Sequence, residues 1–200
     1  MRLSPRLWVA LLTAAASVVF ATTLVRSVWY APDNEVASST LAAAAPARTV
    51  TPGDLPDRLR IPTLNIDAHI KHVGVNQAGL MATPGNFVDV GWYKYGTVPG
   101  FLGSAVIDGH VDNALSLDGV FKHLADLKPG DDIYIDTASS TALHFVVSEV
   151  VSYALEDVPA ERLFKADDKV RLILITCDGA WIKGQKTYDR RLVVYAELVS

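Results

Sequence analysis

A closed, mainly β barrel behind a single membrane anchor is the architecture this sequence predicts, on three observations. From residue 58 onward, short apolar or alternating segments recur between turn signals, with little helical periodicity. Residues 7–25 form a nineteen-residue stretch without a charge. Between these two parts lies a segment dominated by Ala, Ser, Thr and Pro. Seven or eight short strands with one or two short helices suit a barrel or a sandwich. The barrel is preferred because closure leaves no long edge exposed.

The uncharged stretch is just long enough to cross a hydrocarbon core of about 30 Å. Arg2 and Arg6 precede it with no acidic residue, which orients the N-terminus to the cytoplasm. Arg26 weakens that bias, and Trp8, Trp29 and Tyr30 suit the interfaces. A cleaved signal peptide is the rival, but the small residues Ala42, Ala43, Ala44 and Ala45 lie far beyond an apolar run already longer than a signal core of about 7–15 residues. The expected organisation is a cytoplasmic N-terminus at 1–6, a transmembrane anchor at 7–26, an extracytoplasmic linker at 27–57 and a folded domain at 58–200. The linker, with Pro32, Pro46, Pro52 and Pro56, buries little and stays extended. Beyond residue 26 the chain holds 15 Lys and Arg against 22 Asp and Glu, a net charge of −7, which argues against a nucleic-acid partner.

Within the domain, residues 58–61 and 64–70 alternate at period two. Further strands are expected at 104–108, 132–137, 142–151, 170–176 and 191–198. A helix is expected at 119–127, where Val120, Leu124 and Leu127 share a face, and a shorter one at 159–164. Turns fall at Gly79, at Pro99-Gly100 and at Pro129-Gly130-Asp131.

The chain has one cysteine, Cys177, where the apolar run 172–175 ends at Thr176. Without a disulfide partner it is either a small core residue or a reactive thiol. The turn-like Asp178-Gly179 that follows suggests a sulfur near a surface. Among five histidines, His110 stands apart, at a strand end after Gly109. His69 and His72 face opposite sides of a strand and make a poor metal pair, and His123 and His144 read as surface groups. In the last strand Arg190, Leu192, Val194, Ala196 and Leu198 share one face, while Arg191, Val193, Tyr195 and Glu197 share the other. Glu197 marks the second face as the wetter one, so Arg190 is expected in the site and Arg191 in solvent. A bulge would exchange them.

A thiol nucleophile, an imidazole and a guanidinium make chemical sense together. At reference pKa values, about 3% of thiols and a quarter of imidazoles are charged at pH 7. A nearby cation raises the thiolate fraction, the imidazolium protonates a leaving amine, and arginine steadies a developing oxyanion.

These residues resemble the sortase family of cysteine transpeptidases. Leu174-Ile175-Thr176-Cys177 keeps the family's L-x-T-C, with Ile173 in place of its first Thr. Gly109-His110 matches its histidine and Arg190 best matches its arginine. Arg60-Ile61-Pro62-Thr63-Leu64-Asn65-Ile66-Asp67-Ala68, Val90-Gly91-Trp92-Tyr93 and Gly109-His110-Val111-Asp112 look most like class F or class E. The resemblance implies an eight-stranded sortase-type barrel on a Gram-positive cell surface. It implies cleavage of an L-P-x-T-G-like sorting signal through a thioacyl-enzyme, and transfer of the surface protein to an amine such as that of lipid II. No cofactor is expected, and no residue is assigned to a metal. Weaker site candidates are Thr176, Asp112 as an orienter of the imidazole, Trp181 and Tyr188 lining the groove, and Val158 and Leu163 in an apolar recognition wall. Papain-like and NlpC-type peptidases place Cys before His, L,D-transpeptidases use S-H-G-C, and caspase-like enzymes lack the anchor. The remaining alternative is a membrane-tethered barrel that binds peptides without chemistry.

Overall fold

The computed structural model describes residues 49–113, 115–165 and 169–199. Eight strands close into one barrel: β1 (Pro56–Ile61), β2 (Ile66–Val73), β3 (Val90–Tyr93), β4 (Gly103–Asp108), β5 (Asp132–Thr137), β6 (Ala142–Ala154), β7 (Val170–Ile182) and β8 (Thr187–Leu198). Their order around the barrel is β1-β2-β3-β4-β7-β8-β6-β5. The β2–β3 and β4–β7 pairs are parallel and the other pairs are antiparallel.

The barrel interior takes alternate residues from every strand, among them Leu59, Ile70, Trp92, Ile107, Ile133, Phe145, Leu174 and Val194. A second apolar layer lies on the other face of β4, β7 and β8. There Val106, Ile173, Ile175, Val193 and Tyr195 pack against Met81, Tyr93, Leu163 and Phe164. β4 is therefore buried along its whole length, whereas β1 and β5 alternate between buried and partly exposed residues.

Several elements differ from the sequence expectation. The strand expected at 64–70 starts at Ile66, because Pro62–Leu64 forms a 3-10 turn that ends on Asn65 in the left-handed region. β3 was not expected: four residues including Gly91 are too short for periodicity to register. The helix expected at 119–127 is a series of turns ending in the 3-10 segment Leu124–Asp126. Its first donors are committed elsewhere, Gly119 N–H to Val111 O and Phe121 N–H to His110 O, both at 2.9 Å. Leu124 and Leu127 still face the core. The short helix is present as α1, Ala160–Leu163.

β6 and β7 run past their expected ends and β8 starts before its expected beginning, so β7 and β8 form a β-hairpin. The end of the expected linker is docked: Ala138 N–H donates to Leu55 O at 2.9 Å and Ser139 N–H to Gly53 O at 3.1 Å. Among the described residues, no helix is long and apolar enough to cross a membrane. The expected anchor at 7–26 lies outside them.

Candidate active site

The parallel ladder of β4 on β7 brings the histidine segment to the cysteine. Asp108 pairs with Ile175, and Gly109 N–H donates to Ile175 O at 3.2 Å. Thr176 Oγ1 donates to Gly109 O at 2.7 Å. Carried two residues past Asp108, the register sets His110 level with Cys177. By alternation His110 follows Val106 and Asp108, and Cys177 follows Ile173 and Ile175, so both belong to the outer face. The turn after β4 requires glycine for space, since a Cβ on Gly109 would sit 2.5 Å from the Phe121 ring. His110 is buried, and its Nε2–H donates to Pro84 O at 2.9 Å.

Cys177 lies inside β7 directly opposite Arg191 of β8. The pairing slips between Asp178 and Trp181, where Gly179 adopts φ +81°. A side chain there would be strained, and it would also meet the Asp189 carboxylate. Arg191 is 1% exposed. Its Nη1 donates to Tyr188 O at 3.0 Å and to Arg190 O at 2.9 Å, and its Nη2 to Thr187 Oγ1 at 2.9 Å.

Arg190 points through the sheet, away from the thiol. Its Nε donates to Ser152 Oγ at 2.7 Å and its Nη2 to Ser152 O at 2.6 Å. The face assignment from alternation holds, since Leu192 and Val194 line the barrel interior. The site, however, is on the opposite face. Glu197 was a poor guide to wetness near the site, because Val193 and Tyr195 between them are buried in the outer layer. The structure thus places Arg191, not Arg190, beside the cysteine.

The sulfur does not reach the surface as its turn-like surroundings suggested: Cys177 is 4% exposed. Burial pushes its pKa up to about 11, against the opposing pull of the Arg191 guanidinium and a backbone hydrogen bond from Tyr188. At pH 7 the thiolate share is then roughly one in ten thousand, far below the reference fraction.

The weaker candidates divide. Asp112 accepts from the hydroxyl of Tyr188, which joins the histidine loop to β8. Burial, followed by this carboxylate, raises the Tyr188 pKa. Trp181 is 42% exposed and meets Tyr188 edge-on at 5.3 Å, so both stand at the rim. Leu163 is fully buried in the outer layer, and the partly buried Val158 packs against that layer. Sequence reasoning missed Pro84, whose carbonyl holds the histidine; nothing in its local pattern marks it. It also missed Ser152 and Asp178 around Arg190.

The cysteine and the arginine thus pair across neighbouring strands on the covered outer face of a closed barrel, with the histidine level with them. The sortase domain family model matches residues 59–199, and the chain belongs to that family. Solved structures agree. Sortase A from Corynebacterium diphtheriae is 26% identical with a TM-score of 0.55, the alignment covering 73% of this chain and 61% of that one. This chain thus spans less than two thirds of that relative. Sortase C-1 from Actinomyces oris is 24% identical with a TM-score of 0.52, covering 72% and 73%. Sortase A from Listeria monocytogenes is 20% identical with a TM-score of 0.54, covering 74% and 88%; the last two show the fold alone. A comparison with curated proteins finds no match.

Proposed function

We propose that this chain is a membrane-anchored cysteine transpeptidase that cleaves an L-P-x-T-G-like sorting signal and passes the acyl part to an amine of the cell wall. The observation that carries the reading is the cross-strand pair of Cys177 and Arg191, with His110 brought level by the β4–β7 ladder.

The Cys177 sulfur attacks the carbonyl carbon of the Thr–Gly bond. An S–C bond forms, the C–N bond breaks, and the imidazolium of His110 protonates the departing amine. Arg191 hydrogen-bonds the oxygen that becomes negative. An acceptor amine such as that of lipid II then attacks the thioester, gives its proton to His110 and releases the thiolate. A thiol pKa near 11 makes transfer of its proton to His110 part of the reaction rather than a resting condition. Asp112 is engaged by Tyr188 and is not assigned to the imidazole.

The class F or class E reading rests on the 60–68, 90–93 and 109–112 segments. Anchoring by residues 7–26 holds the domain where a secreted substrate and a lipid-linked acceptor meet. The buried, protonated thiol favours a second reading, a tethered barrel that binds peptides without chemistry. Incubating the full-length chain in detergent with an L-P-x-T-G peptide, followed by mass spectrometry, separates the two. A thioacyl adduct on Cys177 supports the transpeptidase. Binding without adduct or cleavage supports the other reading.

A further inference from the structure

The residues that flank the site on the far side of the sheet form their own network. Strand β8 lies between β7 and β6. At its start Arg190 pairs with Asp178 on one side and Ala154 on the other. Ser152 of β6 accepts from Arg190 Nε at 2.7 Å through its hydroxyl, and that hydroxyl donates to the Asp178 carboxylate. Its carbonyl accepts from Arg190 Nη2 at 2.6 Å. Three strands are thereby tied together on the interior face, directly behind Cys177 and Arg191.

Two features show why the tie matters. The hairpin between β7 and β8 is irregular there, with a register shift after Asp178 and left-handed backbone at Gly179. Ladder hydrogen bonds therefore do not fix its geometry fully. The guanidinium of Arg191 is in turn held by the carbonyls of Tyr188 and Arg190 and the hydroxyl of Thr187, which all belong to the same short stretch of β8. Moving the Arg190 backbone moves an acceptor of Arg191.

We infer that Arg190, Ser152 and Asp178 form a positioning clamp that sets the Arg191 guanidinium against the Cys177 sulfur. Arg190 touches neither substrate nor thiol and acts through its neighbour. The inference rests on the transpeptidase reading for its catalytic consequence but not for its effect on the thiol.

The test uses the full-length chain with Arg190→Met, Arg190→Lys, Ser152→Ala and Asp178→Asn. Peptide acylation gives kcat and KM, and iodoacetamide labelling of Cys177 from pH 7 to 12 gives an inflection that needs no peptide. Arg190→Met is expected to lower kcat about tenfold with KM within about twofold, the scale of a small misplacement of a reacting group. Its labelling inflection moves to higher pH, because the Arg191 guanidinium that favours the thiolate loses its placement. Arg190→Lys recovers part of both effects by keeping a donor to Ser152. Ser152→Ala and Asp178→Asn shift both measures in the same direction by less, and they carry the test if Arg190→Met does not fold. The inference is overturned if these variants leave kcat and the inflection at wild-type values. It is equally overturned if Arg190→Met is as crippled as Arg191→Ala with no recovery by lysine, which would make Arg190 itself catalytic. If the wild type acylates no peptide, the transpeptidase reading fails while the labelling inflection still decides the clamp.

Discussion

Strands β1, β2 and β5 meet their surroundings differently from β4, β7 and β8, although all six close one barrel. On the first group, interior side chains alternate with charged ones that face water. Arg60 and Asp136 pair at 2.8 Å, and Arg58 pairs with Asp67. On the second group the outward positions are covered by Met81, Tyr93, Leu163 and Phe164. A covered outer face is what lets a barrel surface hold a thiol and a guanidinium in a low-dielectric setting. It raises the cost of charging the cysteine and makes the neighbouring arginine count for more. The site sits on the side of the barrel whose outer face is covered, with Cys177 and Arg191 both buried.

The largest test of this contrast is chemical. Cys177→Ala is expected to abolish the peptide adduct and all cleavage while leaving the circular dichroism spectrum unchanged; residual turnover would remove the cysteine from the mechanism. Arg191→Ala comes next. Loss of one donor to a developing oxyanion lowers the acylation rate by about 10²–10³, measured by single-turnover mass spectrometry. A few-fold change there would mean that the covered-face arginine does not serve the reaction.

The burial of the thiol has its own signature. With the pKa at about 11, iodoacetamide labelling of Cys177 should rise about tenfold per pH unit from 7 to 10, without levelling. An inflection near 8.5 would show a thiol open to solvent. The linkage has a definite sign. The folded state holds this proton more tightly than the unfolded chain, so its contribution to stability is full below pH 9 and is lost as pH rises toward 11.

Stability should report the two environments directly. Leu174 faces the interior and Ile175 the outer layer, and both are fully or almost fully buried. Truncation of either to alanine is expected to cost about 2–5 kcal/mol in denaturant unfolding. A small effect at Ile175 would mean that the outer layer is loosely packed. Arg60 pairs with Asp136 on the solvated side with its side chain 39% exposed, and Arg60→Ala should cost less than about 1 kcal/mol.

Much of this was readable from residues alone. Alternation at 58–61 located β1, because strands with one wet face carry a period of two. The apolar run 172–175, stopped by Thr176 and a lone cysteine, marked β7 and the candidate nucleophile. Glycine before His110 marked the strand-end turn. Where both faces are apolar, alternation still assigned residues to faces: Arg190 does group with Leu192 and Val194. It could not say which face carries the site. That depended on residues far away in the chain, from Met81 to Phe164, which cover one side of β4, β7 and β8. The same covering explains the buried thiol, which no local pattern around Asp178-Gly179 foretells. The parallel β4–β7 pairing that sets His110 level with Cys177 joins segments 67 residues apart, counted from Gly109 to Thr176. Local sequence specifies strands, turns and the chemistry of single residues, because those follow from neighbouring side chains and backbone preference. Which arginine faces the cysteine, and how dry that face is, arise only from strand order and long-range packing.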